Sequence, residues 1–238
     1  MLRSARVGVK IFVSGVLGAL VVGVLDSPAA SAQQSFNFYI GGFVPRPEDA
    51  RKADDVLVNN LDFLVFNIKD FNGPTFGGEY LAGIGDHLEA GLGIGFQTRA
   101  VPTVYSNFVN ANGSEIEQEL KLRVIPATAT IRFLPLGNRD AITPYIGAGV
   151  GIFAWRYSES GQFLATDSSI FRDTFVGSGT ATGPVILGGL RVPVGHWGVG
   201  GEIRYQSATG DLPRDQDFSG TKIDLGGFTY SFMVNVRF

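Results

Sequence analysis

From Phe228 to Phe238 the chain reads FTYSFMVNVRF, in which six bulky apolar residues, Phe228, Tyr230, Phe232, Val234, Val236 and Phe238, alternate with Thr229, Ser231, Met233, Asn235 and Arg237. A period of two belongs to a strand, whose successive side chains point to opposite faces. The pattern recurs between turn residues. Ser35–Phe43 sets Phe36, Phe38 and Ile40 against Asn37, Tyr39 and Gly41, and Phe76–Ile84 sets Tyr80, Ala82 and Ile84 against Gly77, Glu79 and Gly83. After the turn Gly85-Asp86-His87, Leu88, Ala90, Leu92, Ile94 and Phe96 alternate with Glu89, Gly91, Gly93, Gly95, Gln97 and Arg99. Ile142–Glu159 places Ile146, Ala148, Val150 and Ile152 opposite glycines. Ala181–Val194 opposes Ile186, Leu190, Val192 and Val194 to Gly189 and Arg191, and Gly198–Ser207 opposes Val199, Ile203 and Tyr205 to Gly200, Glu202, Arg204 and Gln206.

One segment breaks the rule. In Glu115–Leu134, Leu120, Leu122 and Val124 oppose Glu117, Glu119, Lys121 and Arg123, but further on Ala129, Ile131 and Phe133 oppose Thr128, Thr130 and Arg132. The apolar set changes parity at Pro126, which predicts a β-bulge at Ile125-Pro126. With this segment the chain holds eight strands. The links at 85–87, 135–141 and 195–197 are short, whereas 44–75, 108–114, 160–180 and 208–221 are longer and richer in Asp, Ser and Asn. A meander with short turns at one end and long loops at the other is the outline of an all-β, eight-stranded, antiparallel up-and-down transmembrane barrel.

The polar faces say which way the barrel is folded. Together they carry Glu79, Glu89, Glu117, Glu119 and Glu202 with Arg99, Lys121, Arg123, Arg132, Arg191, Arg204 and Arg237. If these met water, the Phe, Leu, Ile and Val of all eight strands would overfill the interior. With the polar faces inside, the glycines leave room, the near balance of sign lets buried charges pair, and the apolar faces meet lipid. Tyr39, Tyr80, Trp155, Tyr157, Trp197, Tyr205, Tyr230 and Phe238 lie near strand ends, where an interfacial aromatic girdle is expected, although Tyr39 sits on the face that can also point inward.

Residues 1–32 stand apart. Arg3, Arg6 and Lys10 precede an apolar stretch, Ile11–Leu25, and the small residues Ala30-Ser31-Ala32, as in a secretory signal peptide cut before Gln33. The stretch is shorter than the roughly 20 residues of a spanning helix. Removing 32 residues from 238 leaves 206, the barrel domain at 33–238, and takes the formal net charge from −3 to −5. Without a basic run, nucleic acid is not an expected partner. The absence of cysteine excludes disulfides and cysteine lipidation.

The eight-strand meander, the A-x-A signal, PYIGAGVG at Pro144–Gly151 and the closing YSFMVNVRF resemble the OmpA/OmpX-like eight-stranded outer-membrane β-barrels of Gram-negative bacteria. The resemblance implies Sec-type export through the periplasm, residence in the outer membrane among its lipids, and a monomeric state. It also implies recognition of Tyr230, Phe232, Val234, Val236 and Phe238 by the barrel-assembly machinery. Cell-wall anchoring through a further domain is not expected.

Chemistry is sparse. His87 and His196 lie in short turns, on the periplasmic side in such a barrel and away from the outer leaflet where a lipid-modifying enzyme would act; no G-x-S-x-G or H-E-x-x-H occurs. No catalytic role, metal or cofactor is expected. Asp211, Asp215 and Asp217 are read as solvated loop acids rather than a cation site, and Glu117/Glu119 with Lys121/Arg123 as part of the lumen network rather than a conducting or catalytic group. In the loop 44–75, PRPEDARKADDVLVNN followed by LDFLVF offers either a cap on the barrel or a surface for an extracellular partner. The function expected is structural or surface-interacting, with a narrow pore as the transport alternative.

Overall fold

The computed structural model describes residues 34–137, 142–165 and 167–238; the expected signal peptide at 1–32 lies outside them. Among the described residues ten strands form: β1 Gln34–Pro45, β2 Gly73–Ile84, β3 Leu88–Val109, β4 Glu115–Phe133, β5 Thr143–Leu164, β6 Ile170–Val194, β7 Trp197–Gln206, β8 Thr209–Asp211, β9 Lys222–Asp224 and β10 Gly227–Arg237. Eight close into a barrel in the order β1-β10-β7-β6-β5-β4-β3-β2, and β8 and β9 pair as a small separate hairpin. Every barrel pairing is antiparallel, and β1 seals against β10 from Ser35↔Arg237 to Pro45↔Gly227. The short-turn end also gathers the strand termini, where Arg237 N donates to His196 O at 2.9 Å and Phe238 N to Gln34 O at 3.1 Å.

The expected bulge at Ile125-Pro126 is not there. Ile94↔Ala127 and Gln97↔Val124 leave two residues between them on each of β3 and β4, so none is inserted, and β4 pairs with β5 without interruption from Gln118↔Gly161 to Phe133↔Ile146. The irregularity in this ladder falls between Val104 and Val109 instead. Even-numbered residues of β4 face inward from Ile116 to Arg132, and odd-numbered ones outward from Glu117 to Phe133. The facing never changes; the surroundings do. Inward, Ile116, Leu120, Leu122 and Val124 give way to Thr128, Thr130 and Arg132, while outward Glu117, Glu119, Lys121 and Arg123 give way to Ile125, Ala127, Ala129, Ile131 and Phe133.

The inversion holds around the barrel. Towards the short-turn end the outside is apolar: Phe38 is 58% exposed, Ile146 and Val150 65% each, Ile186 58% and Phe232 55%. Water would disfavour such a continuous belt, and lipid does not. On β4 it runs from Ile125 to Phe133, about 26 Å along the strand at about 3.3 Å per residue. Towards the long-loop end the interior is apolar, and Val101, Leu120, Leu122, Val124, Phe153, Trp155, Tyr157 and Val185 share one buried cluster. Trp155 and Tyr157 therefore correct the girdle expectation: odd-numbered residues of β5 point inward, and both rings are core. Tyr39 also points inward and packs beside Leu134, Tyr145, Leu187 and Met233.

Beyond the belt the strands continue. Much of the expected loop 160–180 is the end of one long hairpin, paired from Ser160↔Thr174 to Leu164↔Ile170. Ribbon with water on its outer face need not alternate apolar with polar there, so the strand signal is lost although the hydrogen bonding continues.

The inverted exterior predicts opposite tolerances on one face of one strand. Ala129→Arg, in the middle of the belt, should lower stability in lipid by about 2–4 kcal/mol, whereas Glu119→Arg should change it by no more than about 0.5 kcal/mol. Urea unfolding midpoints of the two variants in the same vesicles check this.

Candidate functional site

The lumen at belt height is filled by an ion-pair network. Arg132, fully buried on β4, donates through Nη2 to Glu79 Oε2 and to Glu202 Oε2 at 2.8 Å. Arg204 donates from Nε to Glu202 Oε1 at 3.0 Å, and its Nη2 lies 2.8 Å from the same oxygen and 3.4 Å from Glu79 Oε1. Tyr145 donates its hydroxyl to Glu202 Oε2 at 3.0 Å, and the Arg132 guanidinium lies 4.7 Å from the centre of its ring. Two carboxylates thus face two guanidiniums, the balance that a water-poor lumen needs. Nearer the short-turn end, Arg191 Nη2 meets Glu89 Oε2 at 2.5 Å. Asn235 Nδ2 donates to Asn37 Oδ1 at 2.6 Å, and Arg237 Nε to Asn235 Oδ1 at 3.4 Å. Glycine makes this filling possible at particular points: a Cβ at Gly77 or Gly95 would come within 2.5 or 2.4 Å of the Tyr39 hydroxyl. The space bounded by Tyr39, Glu202, Arg204 and Gln206 is about 10 Å³, room for about one water.

Above the network, the segment 46–72 enters the barrel mouth. Asp55 caps the helix α1, Val56–Asn60, by accepting from Leu57 N at 3.1 Å and Val58 N at 3.4 Å, and Val56 and Leu57 are fully buried. Leu64, Ile68 and Phe71 join them in the apolar cluster of the upper interior. Of the two readings of this loop, its apolar residues act as the cap. Val65 N to Val104 O at 2.9 Å and Ser106 N to Phe63 O at 2.9 Å stitch its edge to β3. Arg46 binds Asp224 at 3.0 Å and the Tyr205 hydroxyl at 2.7 Å; Arg51 binds Asp55 Oδ1 at 2.9 Å and the Asp224 carbonyl at 2.8 Å. Asp224 N in turn donates to Asp55 Oδ2 at 2.5 Å. These residues were not singled out from the sequence. Asp before an apolar run is a readable helix-start signal at Asp55, but nothing local links Arg46 to a carboxylate 178 positions away.

Of the twelve residues expected in the lumen network, the structure brings Glu79, Arg132, Glu202 and Arg204 into one cluster, pairs Glu89 with Arg191, and leaves Arg237 half-buried at the short-turn end. The other five are corrected. Glu117, Glu119, Lys121 and Arg123 point outward from the part of β4 above the belt, where the exterior meets water. Arg99 is exposed at the rim where β2 begins, beside Gly73, and donates to the Asp70 carbonyl at 2.8 Å. His87 and His196 are exposed in short turns, and Asp211 meets Lys222 at 3.2 Å. Among the described residues no three His, Cys, Asp or Glu side chains gather as metal ligands.

A further buried acid stands apart from both the lumen network and the ion pairs of the cap. Glu159, on the upper part of β5, accepts from Asn60 Nδ2 at 2.7 Å and from the Tyr157 hydroxyl at 2.8 Å. Burial pushes its carboxyl above the ordinary range, against the pull of those two hydrogen bonds, and burial beside Glu159 pushes the Tyr157 phenol well up.

An exterior apolar belt, a charge-filled lumen and a loop cap define a transmembrane β-barrel of eight antiparallel strands. No protein-family model and no curated protein matches the sequence. Among solved structures the chain is similar to the outer membrane protein OprG of Pseudomonas aeruginosa, at 14% identity and a TM-score of 0.51 over 87% of this chain and 96% of that one. It is also similar to Neisserial surface protein A, at 14% and 0.47 over 87% and 97%, and to the attachment invasion locus protein Ail of Yersinia pestis, at 13–14% and 0.42–0.44 over 87% and 99%. The likeness is one of fold, carried by OprG.

Two outcomes follow from the buried charges. Arg204→Leu leaves Glu79 and Glu202 short of one partner and should cost about 3–5 kcal/mol, read as a lower urea midpoint and as loss of heat-modifiable gel migration. Glu159 has a folded pKa above the unfolded value near 4.5, so the folded state binds the proton more tightly, and its contribution is present below that value and lost as pH rises. Glu159→Gln should therefore raise the unfolding midpoint at about pH 8, with the difference from the parent closing by about pH 4.

Proposed function

We propose that this protein is a closed, non-catalytic barrel that serves the envelope as a monomeric wall element and presents its long-loop end for surface contacts. The single observation behind this reading is that the bore is filled twice, by the Arg132–Glu79–Glu202–Arg204 network and by the 46–72 cap. A filled bore at both heights favours a structural or recognition role over passage of solute. The long-loop end is the extracellular one in this reading, because both strand termini lie at the other end. His87 and His196 then face the periplasm, away from any outer-leaflet substrate. Residues 1–32 direct export by the Sec route and are then removed, and the alternating Tyr230, Phe232, Val234, Val236 and Phe238 on the seam strand β10 supply the signal for barrel assembly.

The transport reading, a narrow pore, is tested by planar-bilayer recording of the purified protein. A closed barrel gives no steady single-channel steps, and reproducible steps would replace the wall reading with the pore. Surface contact is tested by affinity capture from candidate host surfaces with the intact protein and with a variant lacking 45–70. Capture by the intact protein alone supports loop-mediated contact, and equal capture by both removes it.

A further inference from the structure

Outward charge on β4 is sorted by height above the belt. From the lipid side up, the outward residues read Ile125, Arg123, Lys121, Glu119, Glu117: apolar, then two cations, then two acids. The neighbouring strand repeats the boundary. Ala154 on β5 pairs with Ile125, and the next outward residue, Arg156, lies directly opposite Arg123 in the ladder. Thr98 of β3 and Ser178 of β6 flank the two arginines, so the row at this height is polar and its charges are all positive. Arg123, Arg156 and Lys121 are exposed, and among the described residues no carboxylate pairs with any of them.

Like charges placed directly across a ladder repel. Here the repelling pair sits at the edge of the hydrocarbon, where lipid phosphates lie. A phosphate accepts from two guanidiniums in bidentate fashion, which turns the repulsion into a bridge, and Lys121 two residues further out adds a third positive charge. Glu119 and Glu117 sit beyond that layer, where acids do not oppose it.

We propose that Arg123, Arg156 and Lys121 form a docking site for the phosphate-bearing headgroup of an outer-leaflet lipid. The site rests on the membrane placement and orientation above, and not on whether the lumen conducts. The test places the protein in phosphatidylcholine nanodiscs containing a small fraction of lipid A and counts retained lipid A by native mass spectrometry. Loss of a basic residue near a membrane surface costs a factor of about 5 in anionic-lipid binding, so Arg123→Ser with Arg156→Ser should weaken retention about 30-fold. Arg123→Lys with Arg156→Lys, which keeps charge and loses the bidentate fork, should fall between the two. Equal retention by the parent and the serine variant, both folded by heat-modified gel migration, overturns the docking site while leaving the membrane placement intact. Displacement of lipid A by inorganic phosphate at equal concentration would mark a free-anion site and overturn the lipid assignment as well.

Discussion

A barrel strand keeps one face outward along its whole length, whatever medium it passes through. In this protein the strands are longer than the lipid layer is thick, so the outside changes from hydrocarbon to water partway up while the parity of the side chains stays constant. The interior must then change in the opposite sense. Beside lipid the bore can hold charge, because the apolar wall provides the contact with the membrane. Beside water the wall carries the charge, and the bore takes the apolar side chains that a soluble β-barrel would bury. The network around Arg132 and the cluster around Phe153 and Trp155 are two answers to this constraint, stacked along one axis.

The cap follows from the upper half of that arrangement. An open ring of Val101, Leu120, Leu122 and Val124 would expose apolar surface to water at the mouth, and the segment 46–72 supplies Leu57, Leu64, Ile68 and Phe71 to cover it. Its descent carries polar backbone and charged side chains inward, and these are met by Asp55 at the start of α1 and by the Arg46–Asp224 and Arg51–Asp55 pairs. Hydrophobic burial accounts for the presence of the cap. Its register is set by the ion pairs, since breaking a buried pair leaves an uncompensated charge.

Much of the lower barrel was legible in the sequence because lipid on one side and a polar lumen on the other impose strict alternation, as in β10. The phase change in β4 was visible too, but it admitted two explanations, an inserted residue or a change of medium, and local sequence does not separate them. Pro126 pointed to the first; the uninterrupted ladder to β5 decides for the second. The same ambiguity misplaced Glu117, Glu119, Lys121 and Arg123, and it hid Trp155 and Tyr157, whose polar tips suit an interface as well as a core. The pairs that tie the cap down join residues far apart in the chain, and no periodicity encodes them.

The claim of constant facing under a changing medium is tested most directly by labelling. The chain has no cysteine, so single cysteines placed at each position from 117 to 133 can carry a nitroxide whose collisions with dissolved oxygen and with an aqueous nickel complex report lipid and water. Constant facing predicts that odd positions from 117 to 123 respond to nickel, that odd positions from 125 to 133 respond to oxygen, and that even positions are shielded throughout. A switch of the responsive parity at 125–126, with even positions reporting the solvent on one side of it, would contradict the account.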